Sequence, residues 1–129
     1  MKNIFIGVSF EEHAIVSSTN TAVAAGSGSL QVFGTPFMIA LMEKATCSAV
    51  SEYLSEGETT VGTKIDVSHD MASGVGTVIT AKATLIGVDG RKLIFDVVAK
   101  DNNGNKIGKG TIERFVVNKE KFMRKVENK

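Results

Sequence analysis

The residues able to do chemistry in this chain are few and isolated. No Asp, Glu, Lys or Arg occurs from His13 to Met42, and then Glu43 appears, with Ile39 four residues before it, Cys47 four after and Val50 seven after. On a helix that spacing puts a carboxylate on an apolar stripe. Burial without a partner would cost several kcal/mol, so Glu43 is expected to be protonated, hydrogen-bonded or paired, unless the stripe meets solvent at that edge. A desolvated carboxylate can attack an activated acyl group or deprotonate water, but it can equally satisfy a backbone group. His69 closes a run of period two: Val61, Thr63, Ile65, Val67 and His69 fall on one face, and Gly62, Lys64, Asp66 and Ser68 on the other. It is read either as a satisfied core histidine or as a group exchanging a proton near pH 7. Cys47 reads as a small core residue. His13, preceded by Glu11 and Glu12, lacks metal-ligand spacing and reads as an exposed strand residue.

Glu43 is carried by the stretch Gly34 to Leu54, where apolar residues recur at helical spacing through Phe37, Met38, Leu41, Met42, Ala45 and Ala49. Thr35-Pro36 predicts its start, with Thr as N-cap and Pro at N1. Before it lie a strand over Ser9 to Ser18 and an uncharged, small-residue loop, Thr19 to Leu30, expected to run along the protein surface. After it come the strand ending at His69 and a strand over Thr77 to Gly87. An Asp89-Gly90 turn leads to a strand with Leu93, Phe95, Val97 and Ala99 on one face. An Asn103-Gly104 turn leads to a last strand, Lys106 to Val117. The charged end KEKFMRKVENK reads as a short helix or frayed tail. An antiparallel sheet needs an apolar cover on one side, and one helix apolar around most of its girth supplies it. The fold class expected is α+β, an antiparallel sheet wrapped around one long central helix, with an open edge strand available for pairing into a homodimer or larger assembly.

A chain of 129 residues is one domain by size. Its formal charge of +1 points to neither nucleic acid nor an anionic membrane. One cysteine excludes an internal disulfide and suits a reducing compartment. The opening MKNIFIGVSFEEH has too short an apolar run for a signal peptide, and no run is long enough to span a bilayer. A soluble, cytoplasmic protein is expected.

The ordered segments VFGTPFMIALMEKA, VGTKIDVSH, GVDGRKLIFDVVAKD, IGKGTIERFVV and EKFMRKV, from Val32 to Lys125, resemble the fluoroacetyl-CoA thioesterase family of single-domain hot-dog proteins. The resemblance implies one hot-dog domain over residues 1–129 that hydrolyses short acyl-CoA thioesters with no metal and no organic cofactor. It implies a catalytic group of Thr35, Glu43 and His69, and an active-site glycine at Gly62. The arginine of the GT-x-ER segment falls on Arg114, which either forms an ion pair or contacts CoA phosphate. The chain departs from the family at the lid, where Pro and Phe are replaced by the small residues of Thr19 to Gln31. Phe33 is left as the only aromatic residue nearby, counted with Gly62 and Arg114 as a substrate contact. The loop Asp70 to Gly76 also lacks the family's paired prolines. Selectivity for a fluorinated acyl group is therefore not expected to carry over with the catalytic group. Two other classes remain open, a non-catalytic acyl-thioester binding module and a dehydratase of 3-hydroxyacyl thioesters. The second would want a close Asp/His pair, and Asp66 and His69 are placed on opposite strand faces.

Overall fold

The computed structural model describes all 129 residues. Five antiparallel strands form one sheet: β1 (Ser9–Ile15), β2 (Glu58–His69), β3 (Val78–Asp89), β4 (Lys92–Lys100) and β5 (Lys106–Asn118), in the spatial order β1-β3-β4-β5-β2. Three helices accompany it: α1 (Ala22–Ala25), α2 (Thr35–Val50), which runs on into a single 3₁₀ turn at Ser51–Tyr53, and α3 (Lys119–Glu127). This is the expected sheet around one long helix.

The core forms where the sheet's apolar face meets α2. Ile79, Ala81, Ala83 and Leu85 of β3, Leu93, Phe95, Val97 and Ala99 of β4, and Ile107, Ile112 and Val116 of β5 are all buried. The pairs Ala81–Ala99 and Ala83–Val97 keep the middle of that face shallow, leaving room for a helix to lie on it. Met38, Leu41, Met42, Ala45, Ala49 and Val50 fill the space from above, and a large apolar side chain so buried contributes about 1.5–3 kcal/mol. The helix packs chiefly on β3 and β1, and much less on β2. Cys47, expected in the core, is exposed, because its side of α2 points away from those two strands.

Two local expectations are corrected. The N-cap of α2 is Gly34, in an extended conformation, so Thr35 is the first helical residue and Pro36 the second. Either residue type can cap, and Thr35 is not needed for it because its hydroxyl has another partner. The face alternation of β2 is also not continuous. The pairing of β2 with β5 slips between Gly62 and Lys64, a bulge with one extra residue. Thr60 and Gly62 therefore share the inner face with Ile65, Val67 and His69, whereas Val61 pairs with Phe115 on the outer face.

The turns form where Gly90 (φ 61°) and Gly104 (φ 79°) adopt the left-handed conformation. The segment Thr19 to Leu30, expected as a loop, contains α1, capped by the Thr21 hydroxyl accepting from Ala24 N–H at 3.2 Å. It is pinned at both ends: Ala22 N–H donates to Val32 O, Gly34 N–H to Asn20 O, and Phe33 N–H to Ser73 O in the loop after β2. The charged tail is helical, with the Asn118 side chain capping it through Lys121 N–H. Strands β1 and β2 are the sheet's edges, and β2 offers twelve residues there.

Candidate active site

The candidate residues collect into two groups at the two ends of the α2–β2 contact. At the first, Glu43 comes off the middle of α2 and Arg114 off the inner face of β5, in register with Gly62. One Arg114 Nη1 hydrogen bond reaches Glu43 Oε2 at 3.2 Å. The other side of the guanidinium is held by Thr60, whose hydroxyl accepts from Nε at 2.9 Å and whose carbonyl accepts from Nη2 at 3.0 Å. Arg114 is 7 % exposed, while the Glu43 side chain is 37 % exposed, so the pair joins a sealed cation to an accessible carboxylate. Gly62 makes the approach possible: a Cβ there would lie 2.9 Å from Glu43 Oε2 and 3.3 Å from Arg114 Nη1.

At the second, Thr35 Oγ1 and His69 Nδ1 are 2.7 Å apart. This bond fixes the imidazole, with the hydroxyl donating to an Nε2–H tautomer or accepting from an Nδ1–H one. His69 Nε2 is buried and has no hydrogen-bond partner. Burial holds the His69 pKa below its ordinary value, against the opposing pull of the Asp70 charge and the Met71 backbone. The ring is therefore neutral at pH 7. A cavity of about 230 Å³ opens beside the pair, lined by Ala22, Val32, Phe33, Met71 and Ala72 among others. Phe33 is buried and forms one of its walls. In the first turn of α2, Phe37 and Met38 N–H both donate to Gly34 O and Pro36 has no N–H. That leaves the Thr35 N–H unspent, one donor for a developing oxyanion rather than several.

His13 bonds Thr80 Oγ1 at 2.8 Å on the exposed face of β1, away from both groups. No three His, Cys, Asp or Glu side chains stand together as metal ligands. Thr60 escaped the sequence reading, although a glycine two residues later in the same strand marks the bulge that turns both inward.

A curled antiparallel sheet on one helix, with a carboxylate on that helix and a histidine at the end of the next strand, defines a hot-dog protein of the thioesterase type. The chain belongs to the fluoroacetyl-CoA-specific thioesterase family, whose model matches residues 16–120. It is 44 % identical over 99 residues to the fluoroacetyl-CoA thioesterase of Streptantibioticus cattleyicolor, covering 77 % of this chain and 70 % of that one. A solved structure of the fluoroacetyl-CoA thioesterase FlK superposes with a TM-score of 0.93 at 36 % identity, over 99 % of this chain and 98 % of that one. A thioesterase superfamily member from Thermus thermophilus shares the fold, with a TM-score of 0.90 at 23 % identity and coverage of 99 % and 96 %. No helix is long and apolar enough to cross a membrane.

Proposed function

We propose that residues 1–129 act as one domain that hydrolyses short-chain acyl-CoA thioesters in the cytoplasm, with Thr35, Glu43 and His69 as the catalytic group. The observation that carries this is the Glu43 carboxylate, gripped by Arg114 against the bare backbone of Gly62 and still open to an incoming molecule. A thioester carbonyl is activated because thiolate leaves readily, so a positioned carboxylate and an oxyanion donor suffice. One Glu43 oxygen either adds to the carbonyl carbon itself or takes a proton from the water that does. The carbonyl oxygen becomes an oxyanion facing the Thr35 N–H. The C–S bond then breaks and the thiolate leaves with its electron pair beside His69 Nε2. Where Glu43 has added directly, water hydrolyses the resulting mixed anhydride and frees the carboxylate. In either route the proton released by the attacking water ends on the CoA sulfur. Arg114, sealed from solvent and committed to Glu43 and Thr60, serves the carboxylate rather than a CoA phosphate.

The two groups belong to one reaction only if a second copy completes the site. Thr35 and Glu43 are eight residues apart on α2, about 12 Å along the axis. Gly62 and His69 are separated by on the order of 20 Å of strand. A homodimer paired through the open edge of β2 would bring the two groups together. Antiparallel self-pairing about Asp66 sets Ile65 against the partner subunit's Val67. With the shift in register between Gly62 and Lys64 counted, that pairing would bring the partner subunit's His69 beside Gly62. Glu43 of one copy would then face the partner subunit's Thr35 and His69. Ile65, 39 % exposed on the inner face of one copy, would be covered.

The acyl group occupies the cavity walled by Phe33. Its rim toward Thr19–Gln31 carries Ala, Gly, Ser and Thr, which close over a substrate less tightly than phenylalanine. Acetyl-, propionyl- and isobutyryl-CoA are therefore expected to turn over with kcat/KM within about 100-fold of fluoroacetyl-CoA, since a methylene-sized contact is worth only ~1–3 kcal/mol. Thiol release from these four substrates tests the reading. A binding module would release none, and a dehydratase would yield an enoyl-CoA from a 3-hydroxyacyl-CoA. A fluoroacetyl preference above about 10⁴-fold would refute the open-rim account. Asp66 lies on the outer face of β2 and His69 on the inner, which disfavours the dehydratase.

A further inference from the structure

We infer that Thr60 is a positioning residue for the hydrolysis, acting on Glu43 through Arg114; this rests on the assignment of Glu43 as the reacting carboxylate. An arginine on a strand has long, rotatable freedom, and one 3.2 Å hydrogen bond to a partly exposed carboxylate does not fix both partners. Thr60 removes that freedom by taking two donors along one edge of the guanidinium, Nε on its hydroxyl and Nη2 on its carbonyl. A planar fork held at two points has its remaining Nη1–H aimed in one direction, and Glu43 Oε2 lies there. Gly62, one step along the same inner face, leaves the space in which the carboxylate and guanidinium meet.

The arrangement is asymmetric in a way that separates positioning from packing. Thr60 and Arg114 are both more than nine-tenths buried, whereas the Glu43 side chain is the exposed member. Thr60 touches Arg114 with polar atoms only at the two places where the fork is held, and neither bond reaches Glu43 directly. Removing the hydroxyl leaves the carbonyl bond intact. The arginine then keeps its charge and its burial but pivots about one remaining point. The attraction between Arg114 and Glu43 survives; the direction in which it presents the carboxylate does not. A misdirected carboxylate would cost turnover far more than substrate binding, because the cavity proposed for the acyl group is lined by neither Glu43 nor Arg114.

The test uses Thr60→Val, which keeps the shape and loses the acceptor, Thr60→Ala, which leaves space for a water, and Thr60→Ser, which keeps the hydroxyl. With acetyl-CoA, the Val and Ala variants are expected to lose on the order of 10-fold in kcat with KM within about 2-fold of the parent, and Ser to stay within about 3-fold in both. In a Glu43→Gln background, Thr60→Ala should cause no further loss, since the group it positions is already gone. If the Val variant does not fold, Ala and Ser carry the same comparison. Parent-like kcat in a folded Ala variant, a rise in KM in place of the fall in kcat, or an undiminished further loss in the Glu43→Gln background would each overturn the inference. Unimpaired Glu43→Gln by itself would instead overturn the assignment of Glu43, so the two failures are told apart.

Discussion

Glutamine at position 43 would keep the size of the side chain and an oxygen able to accept from Arg114, while losing the basic, nucleophilic carboxylate. Glu43→Gln should therefore fold with an unchanged circular dichroism spectrum and lose on the order of 10²-fold or more in kcat. A folded variant with near-normal turnover would remove Glu43 from the reaction. His69 makes a prediction of a different kind. Its pKa is depressed in the folded chain by burial, so the folded state favours the neutral ring and the unfolded state binds the proton first. The stability it contributes is complete above the unfolded value of about 6.5 and is lost as pH falls through the lower folded value. In the Nε2–H tautomer, protonation also takes Nδ1 from the Thr35 hydroxyl as an acceptor. Parent protein titrated downward from pH 7 should lose melting temperature below about pH 6.5, and His69→Gln should flatten that slope. An equal slope in both would assign the acid lability to another group.

Among the elements, β5 shows how closely α2 is seated. Gly108 pairs with His69, and a Cβ on it would meet both Met38 Sδ and Ser68 O at 2.6 Å. Neither a buried helix residue nor a strand carbonyl can withdraw cheaply, so Gly108→Ala should destabilise by about 1–3 kcal/mol, several degrees in Tm. Gly74→Ala, with nothing within 4 Å, is the control expected to be near neutral. An unmoved Tm for Gly108→Ala would mean that the strand and helix are not held at this spacing. Strand β4 is legible in the sequence because its inner face is uniformly buried, so Leu93, Phe95, Val97 and Ala99 alternate without interruption. The phase of β2 was not, because a bulge resets which residues face inward and period-two counting carries no mark of it beyond Gly62. The cap of α2 lies one residue before the one the sequence indicates, since Thr35 has the chemistry of a cap but bonds His69, thirty-four positions away. Thr35, Glu43 and His69 could be singled out from helix and strand patterns together with the family resemblance. The grip of Arg114 on Glu43 could not, because it spans 71 positions and exists only once β5 and α2 face each other.

At the scale of the whole molecule, the separation of the Thr35–His69 pair from the Glu43–Arg114 pair gives the proposed dimer a test that light scattering alone cannot supply. Glu43→Gln and His69→Ala should each be nearly inactive alone. If Glu43 of one copy works with His69 of the other, a heterodimer of the two variants contains one site with both residues native and one with both replaced. Unfolding and refolding an equal mixture distributes the chains at random, half into heterodimers, each with one of two sites intact. Activity should then recover to about a quarter of the parent's per chain. If both residues served the same reaction within one copy, every site in the mixture would carry one of the two defects and nothing would recover. Ile65→Lys sharpens the result, because it sets a charge on the inner face of the β2 edge where self-pairing would bury it. Introduced into the parent, it should give monomers that keep the fold and lose thiol release. Introduced into both variants, it should abolish the recovery. An Ile65→Lys monomer with parental kcat would show that one copy suffices, and the composite site would have to be abandoned.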